Sequence, residues 1–171
     1  AAIAAEAAQN EVCSAANDNG PGQVVVSGHV AAVNRAIELA QARGAKRAIL
    51  LPVSAPFHCP LMQPAADRMR EALAEVEISE PLVPVFANVL AAPITGPADI
   101  RDALVAQVTG TVRWRESVAA MATQGVDVFF ELGAGKVLTG LAKRIAPGAR
   151  ALSVSGPDDV AGFLEVLTTS R

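Results

Sequence analysis

The 171 residues are 51% hydrophobic and 18% charged, which is enough apolar content to bury a core and excludes a disordered chain. Fourteen Lys and Arg against 17 Asp and Glu leave a net charge of −3, and the basic residues are scattered as Lys46-Arg47, Arg113/Arg115 and Lys143-Arg144, so no cationic stripe exists to follow a nucleic-acid backbone. Two cysteines, Cys13 and Cys59, cannot make a disulfide framework, and no apolar run approaches the length of a bilayer span; a cytoplasmic protein, not embedded in a membrane, is expected.

Residues 1–9 are Ala-rich and helix-favouring. With no Met and no basic, apolar leader, they read as the latter part of a helix, and residue 1 is not expected to be a natural start. A short strand is expected over 11–16, a turn over the Asn/Asp/Gly/Pro cluster at 17–22, and a β-branched return strand over 23–27. Residues 30–42 carry the spacing of a surface helix ending at Gly44, and 48–53 read as a third strand. That β-β-α-β order predicts a small α+β unit over residues 1–53. Beyond the Pro-bracketed loop at 54–60 the pattern changes, with helices expected over 61–76, 100–108, 114–122 and 136–145 and strands over 83–88, 126–131 and 149–154. Alternating strands and helices predict that 54–171 is part of a parallel α/β sheet.

The chemistry-bearing residues are few. His29 opens a helix and reads as structural. His58 lies in SAPFHCPLMQP at a strand end, where rigid loops display catalytic groups, but a loop histidine can equally serve a backbone carbonyl. A histidine base needs a nucleophile, and no serine here has the flanking glycines of G-x-S-x-G. Cys59 adjoins His58, and neighbours in an extended segment point apart. Gly133-Ala134-Gly135-Lys136 lacks the remaining residues of a phosphate loop and reads as a tight turn into a helix, with N–H groups free to face an anion. Cys13, His29, His58 and Cys59 match no zinc spacing, so no metal is expected. Trp114 reads as a core anchor with Arg113 and Arg115 in solvent.

Five blocks in order, NDNGPGQVVVSGH (17–29), GAKRAILLPVSAPFHCPLMQPAADRM (44–69), VPVFANV (83–89), VTGTVRWRESV (108–118) and ELGAGKVLTGLAKRI (131–145), resemble bacterial malonyl-CoA:acyl-carrier-protein transacylases. The resemblance implies part of an α/β-hydrolase-like large subdomain (54–171) plus most of an inserted ferredoxin-like small subdomain (1–53). It further implies ping-pong malonyl transfer from malonyl-CoA to acyl carrier protein in fatty-acid synthesis. Malonyl-CoA enters as substrate, and no cofactor is implied.

By block position the resemblance assigns the base to His58, oriented by the backbone carbonyl of Gln107. It places Asn17, Asn19 and Gln23 beside the pantetheine channel and Lys46 and Arg47 near the CoA phosphates and the carrier's docking surface. For the asparagines a plain hairpin turn, and for the basic pair a solvated strand end, remain open. Phe57 implies malonyl over methylmalonyl, as in related polyketide acyltransferases. The family's G-H-S-x-G serine and carboxylate-binding Arg have no counterpart here, so the nucleophile is expected from upstream sequence or a companion chain, which would also cover apolar faces at 83–86 and 126–130. The alternative is a non-catalytic carrier- or CoA-binding fragment; a serine hydrolase of related fold is disfavoured.

Overall fold

The computed structural model describes residues 1–169. Its elements in chain order are α1 (Ala2–Ala8), β1 (Cys13–Gly20), β2 (Gln23–Gly28), α2 (Val30–Ala42), α3 (Gln63–Ala74), β3 (Val85–Ala87), β4 (Ala92–Ile94), α4 (Pro97–Thr109), α5 (Trp114–Thr123), β5 (Val128–Leu132), α6 (Val137–Ile145), β6 (Arg150–Val154) and α7 (Val160–Thr169). The chain divides into two compact units at Ser117/Val118.

In the first unit, β1 and β2 form an antiparallel hairpin, and α1 packs with α2 beside it. Ala4, Ala7, Ala32 and Ala36 are buried with Cys13. Small side chains let the two helices approach closely, and Ile3, Val26 and Leu39 close the edges of the cluster. Gly28 is required where β2 meets the preceding chain, because a Cβ there would stand 2.0 Å from the Val12 carbonyl oxygen. At that junction the Val12 N–H donates to His29 Nδ1 (2.9 Å) and the His29 N–H donates to the Val12 carbonyl (2.9 Å). His29 is thus part of the backbone pairing, as its structural reading anticipated.

The turn expected over 17–22 is confined to Pro21-Gly22; Asn17 to Gly20 continue β1. These residues pair with Val25, Val24 and Gln23 of β2, and a distant partner holds their other edge: Asp18 N–H donates to the Val112 carbonyl (2.9 Å) and Val112 N–H to the Ala16 carbonyl (2.8 Å). The strand expected over 48–53 is absent. It has no ladder neighbour among the described residues, and Val53 N–H instead donates to the nearby Leu51 carbonyl (2.9 Å). Ile49, Leu50, Leu51 and Val53 are all exposed. A strand of this apolar character needs neighbours on both edges, so without them it stays irregular.

Beyond residue 60, α3 follows a short 3-10 turn at Pro60–Met62 and packs on α4. Arg101 of α4 donates to the Leu73 and Val76 carbonyls (3.0 and 2.7 Å), satisfying acceptors at the end of α3. The strand expected at 83–88 shortens to β3 and pairs antiparallel with β4, an element too brief for sequence periodicity to reveal.

In the second unit β5 and β6 are parallel and joined through α6, the arrangement expected for this region. Val118, Leu141, Ala142, Ala146 and Ala151 are buried. Phe130 meets Phe163 of α7 edge-to-face with centroids 4.7 Å apart. Helix α7 has no clear amphipathic pattern in the sequence, since its residues are apolar on more than one face: Val160, Leu164 and Leu167 remain exposed.

Candidate functional site

The loop between Val53 and α3 is shaped by its prolines. Pro56 and Pro60 lack N–H groups, and no helix forms before the short 3-10 turn that Pro60 opens. Between them His58 adopts φ 59°, one of three non-glycine residues with positive φ among those described. This left-handed geometry costs about 1–2 kcal/mol for an L-residue and requires compensation from its surroundings. Cys59 then returns to extended backbone and is fully buried. Its thiol donates to the Pro56 carbonyl (3.2 Å). A buried thiol so engaged is a structural group, which removes Cys59 as a candidate nucleophile.

The corner leaves the His58 ring half-buried with Nδ1 2.8 Å from the Gln107 carbonyl oxygen. A carbonyl can only accept, so Nδ1 carries the proton, and in the neutral ring Nε2 presents its lone pair. Gln107 lies in the last turn of α4, where carbonyls have no following helical N–H and are free for an outside donor. Gly110 lets the chain leave the helix at that point: a Cβ there would lie 2.6 Å from Val89 Cγ2 and 2.9 Å from the Ala106 carbonyl oxygen.

Other expected residues divide into two groups. Phe57 adjoins the histidine and is 46% exposed. Asn17 is bridged to Val112, five residues after Gln107, so one stretch of chain holds both the strand carrying the asparagines and the acceptor for His58. Asn17 and Asn19 are half-buried along β1, and Gln23 sits exposed opposite Gly20. Lys46 and Arg47 are exposed beyond α2, and no hydrogen bond or ion pair joins them to the histidine.

The arginines beside Trp114 are not simply in solvent as expected. Arg115 grips both oxygens of Asp18 (3.0 Å from Nε to each, 2.5 Å from Nη2), and that contact holds the Asp18 carboxyl below its ordinary range. Arg113 reaches the Leu90 carbonyl (2.8 Å) and pairs with Glu116, which is likewise held low by this hydrogen bond. Thr111 Oγ1 donates to the Ala15 carbonyl (2.7 Å), and with the Arg115–Asp18 pair it seams β1 to the segment after α4. Asp18 and Arg115 lie 97 residues apart and Ala15 and Thr111 lie 96 apart, so no local pattern reveals these two contacts.

In the second unit, the Gly133-Ala134-Gly135 turn leads into α6 as expected, and the N–H groups at the start of that helix meet a carboxylate of the chain itself. The Glu131 carboxylate accepts from the Leu138 N–H (3.1 Å) and Thr139 N–H (2.7 Å) at the start of α6. These backbone bonds, Thr139 foremost, hold Glu131 below its usual carboxylate range. Burial raises the Cys13 thiol, consistent with an inert core residue. Among the described residues, no group of three or more His, Cys, Asp or Glu could hold a metal ion, and no helix is long and apolar enough to cross a membrane.

A histidine aimed by a helix-end carbonyl has one ring nitrogen engaged and the other available, and comparison with known proteins gives the family. The acyl transferase domain family matches residues 2–153. The chain belongs to that family. The chain is 49% identical over 161 residues to the malonyl CoA-acyl carrier protein transacylase of Escherichia coli, covering 94% of the chain and 52% of the relative. The acyl-carrier-protein-S-malonyltransferase of Bartonella henselae superposes with TM-score 0.94 at 49% identity, over 98% of this chain and 54% of that one. A malonyl-transacylase solved in complex with a type II PKS acyl-carrier protein superposes with TM-score 0.92 at 42% identity, over 96% and 53% respectively. The fold is therefore the α/β fold of the malonyltransferases, as the five blocks implied. The chain spans about half the length of the curated relatives it matches.

Proposed function

We propose that this chain supplies the histidine base of a malonyl-CoA:acyl-carrier-protein transacylase acting in fatty-acid synthesis. The observation that carries the reading is the 2.8 Å contact from His58 Nδ1 to the Gln107 carbonyl, which leaves Nε2 free to take a proton. The nucleophilic serine comes from outside the 171 residues, from upstream sequence or a companion chain. In the first half-reaction Nε2 removes the serine proton as the oxygen attacks the malonyl thioester; the C–S bond breaks and CoA leaves with that proton. In the second, the carrier's phosphopantetheine thiol gives its proton to Nε2 and attacks the ester, and the serine oxygen departs with the proton. A carbonyl in place of a carboxylate behind the ring avoids a second negative charge near the malonyl carboxylate. These steps balance with no cofactor or metal.

Residues 1–53 correspond in this reading to the ferredoxin-like small subdomain and 54–171 to the C-terminal part of the large one. Asn17, Asn19 and Gln23 border the pantetheine channel. Lys46 and Arg47 meet the CoA phosphates and speed docking of an acidic carrier. The Phe57 ring crowds an α-methyl group and favours malonyl over methylmalonyl. Exposed Ile49, Leu50 and Val53, with Leu82 and Val83, support a polypeptide covering these segments. The setting is the cytoplasm.

His58→Ala in the complete enzyme is expected to abolish malonyl transfer, and near-normal transfer would sink the assignment. The second reading, a non-catalytic carrier- or CoA-binding fragment, is favoured by one feature: no serine of this chain lies in G-x-S-x-G. Both readings predict no stable malonyl adduct on the isolated 171 residues, and mass spectrometry finding one on its own serine would overturn the outside-nucleophile account.

A further inference from the structure

The histidine's orientation depends on a corner that is costly for it, and the residue after it is the best placed to hold that corner. Cys59 is fully buried, and it ties the loop in both directions. Upstream, its thiol donates to the Pro56 carbonyl at 3.2 Å; downstream, its own carbonyl accepts the Met62 N–H at 3.0 Å, opening the short turn that leads into α3. The only residues between the Pro56 anchor and Cys59 are Phe57 and the left-handed His58. Phe57 N–H donates back to Ala55 at 3.0 Å, so the remaining freedom of the corner lies in the backbone of His58.

We propose that Cys59 is a positioning residue for His58: its buried thiol, by holding the Pro56 carbonyl, keeps the intervening corner in the geometry that turns the imidazole toward Gln107. The role needs a donor of this size at a buried site, and it uses no thiolate and no redox step. The inference rests on the reading of His58 as the base.

The test uses the complete enzyme, nucleophile segment included, with three variants read side by side. Cys59→Ser keeps a donor and is expected to stay within roughly threefold of the parent kcat. Cys59→Val keeps the bulk, drops the donor, and is expected to lower kcat about 10- to 100-fold while KM for malonyl-CoA changes by no more than about twofold, because misplacing a base affects chemistry more than binding. Should Val fail to fold, Cys59→Ala is read in its place. A donorless variant with parental kcat, or a Ser variant as slow as the donorless one, overturns the proposal. His58→Ala serves as the control for the underlying reading: if it is inactive while Cys59→Val is parental, only the positioning role fails, whereas activity in His58→Ala removes the base itself.

Discussion

His29 and His58 both turn Nδ1 toward the backbone, yet the atom each meets is of opposite kind. His29 Nδ1 faces the N–H of Val12 and must accept; His58 Nδ1 faces the carbonyl of Gln107 and must donate. The first histidine therefore keeps its lone pair on the nitrogen already used by the fold. The second leaves its lone pair on the outer nitrogen, where chemistry can reach it. In one chain the same side chain is a clasp at a hairpin end and, in the proposed function, a base at a loop, and the partner atom separates the two.

The comparison predicts its own largest contrast. His58→Ala should lower malonyl transfer by about a thousandfold or more in the complete enzyme. His29→Ala should leave kcat within roughly twofold and cost stability of about 1 kcal/mol, since the Val12 N–H loses its acceptor. Comparable losses of activity in both variants would erase the distinction. A smaller effect is expected from Gly110→Ala, whose new Cβ would meet Val89 and the Ala106 carbonyl and move the end of α4 that carries the Gln107 oxygen. Steady-state kinetics should show a fall of about tenfold in kcat, accompanied by about 1–3 kcal/mol of destabilisation in denaturant melts; unchanged kcat would separate the helix end from the histidine's task.

Smaller again is the effect of Phe57→Ser, which should raise the methylmalonyl-to-malonyl ratio of kcat/KM by about tenfold and leave malonyl transfer largely intact. A ratio that does not move would place the acyl pocket elsewhere. The least effect belongs to the seam behind the asparagines. Asp18 titrates below its unfolded value because of Arg115, so its contribution is complete above the ordinary carboxylate range and is lost as pH falls through the lower folded value. Thermal melts of Asp18→Asn should lie below the parent at neutral pH and converge with it in strong acid; a gap that persists at low pH would assign the loss to something other than this ion pair.

Much of the helix pattern was legible because it is local. Residues 30–42 and 137–145 follow periodicity closely, and the glycine turn before α6 and the parallel pair after it followed from the same local signals. What was illegible depends on partners far along the chain. Asn17 to Gly20 carry turn-forming residues, but β2 pairs one edge and Val112 holds the other, which makes them strand. Residues 48–53 have strand composition and lack a neighbour, so composition alone misled. At the site, the proline-bracketed loop pointed to His58, whereas its left-handed backbone and the burial of Cys59 are consequences of packing. The Gln107 carbonyl is harder still to read from composition. Any residue at that helix end would offer the same oxygen, and only the resemblance to the transacylases singled it out.

The most direct measurement is the tautomer of each neutral imidazole, read by 15N NMR of the histidine-labelled complete enzyme. The account predicts opposite patterns: His58 protonated on Nδ1 with Nε2 bare, and His29 protonated on Nε2 with Nδ1 bare. A His58 that carries its proton on Nε2 would contradict its assignment as the base.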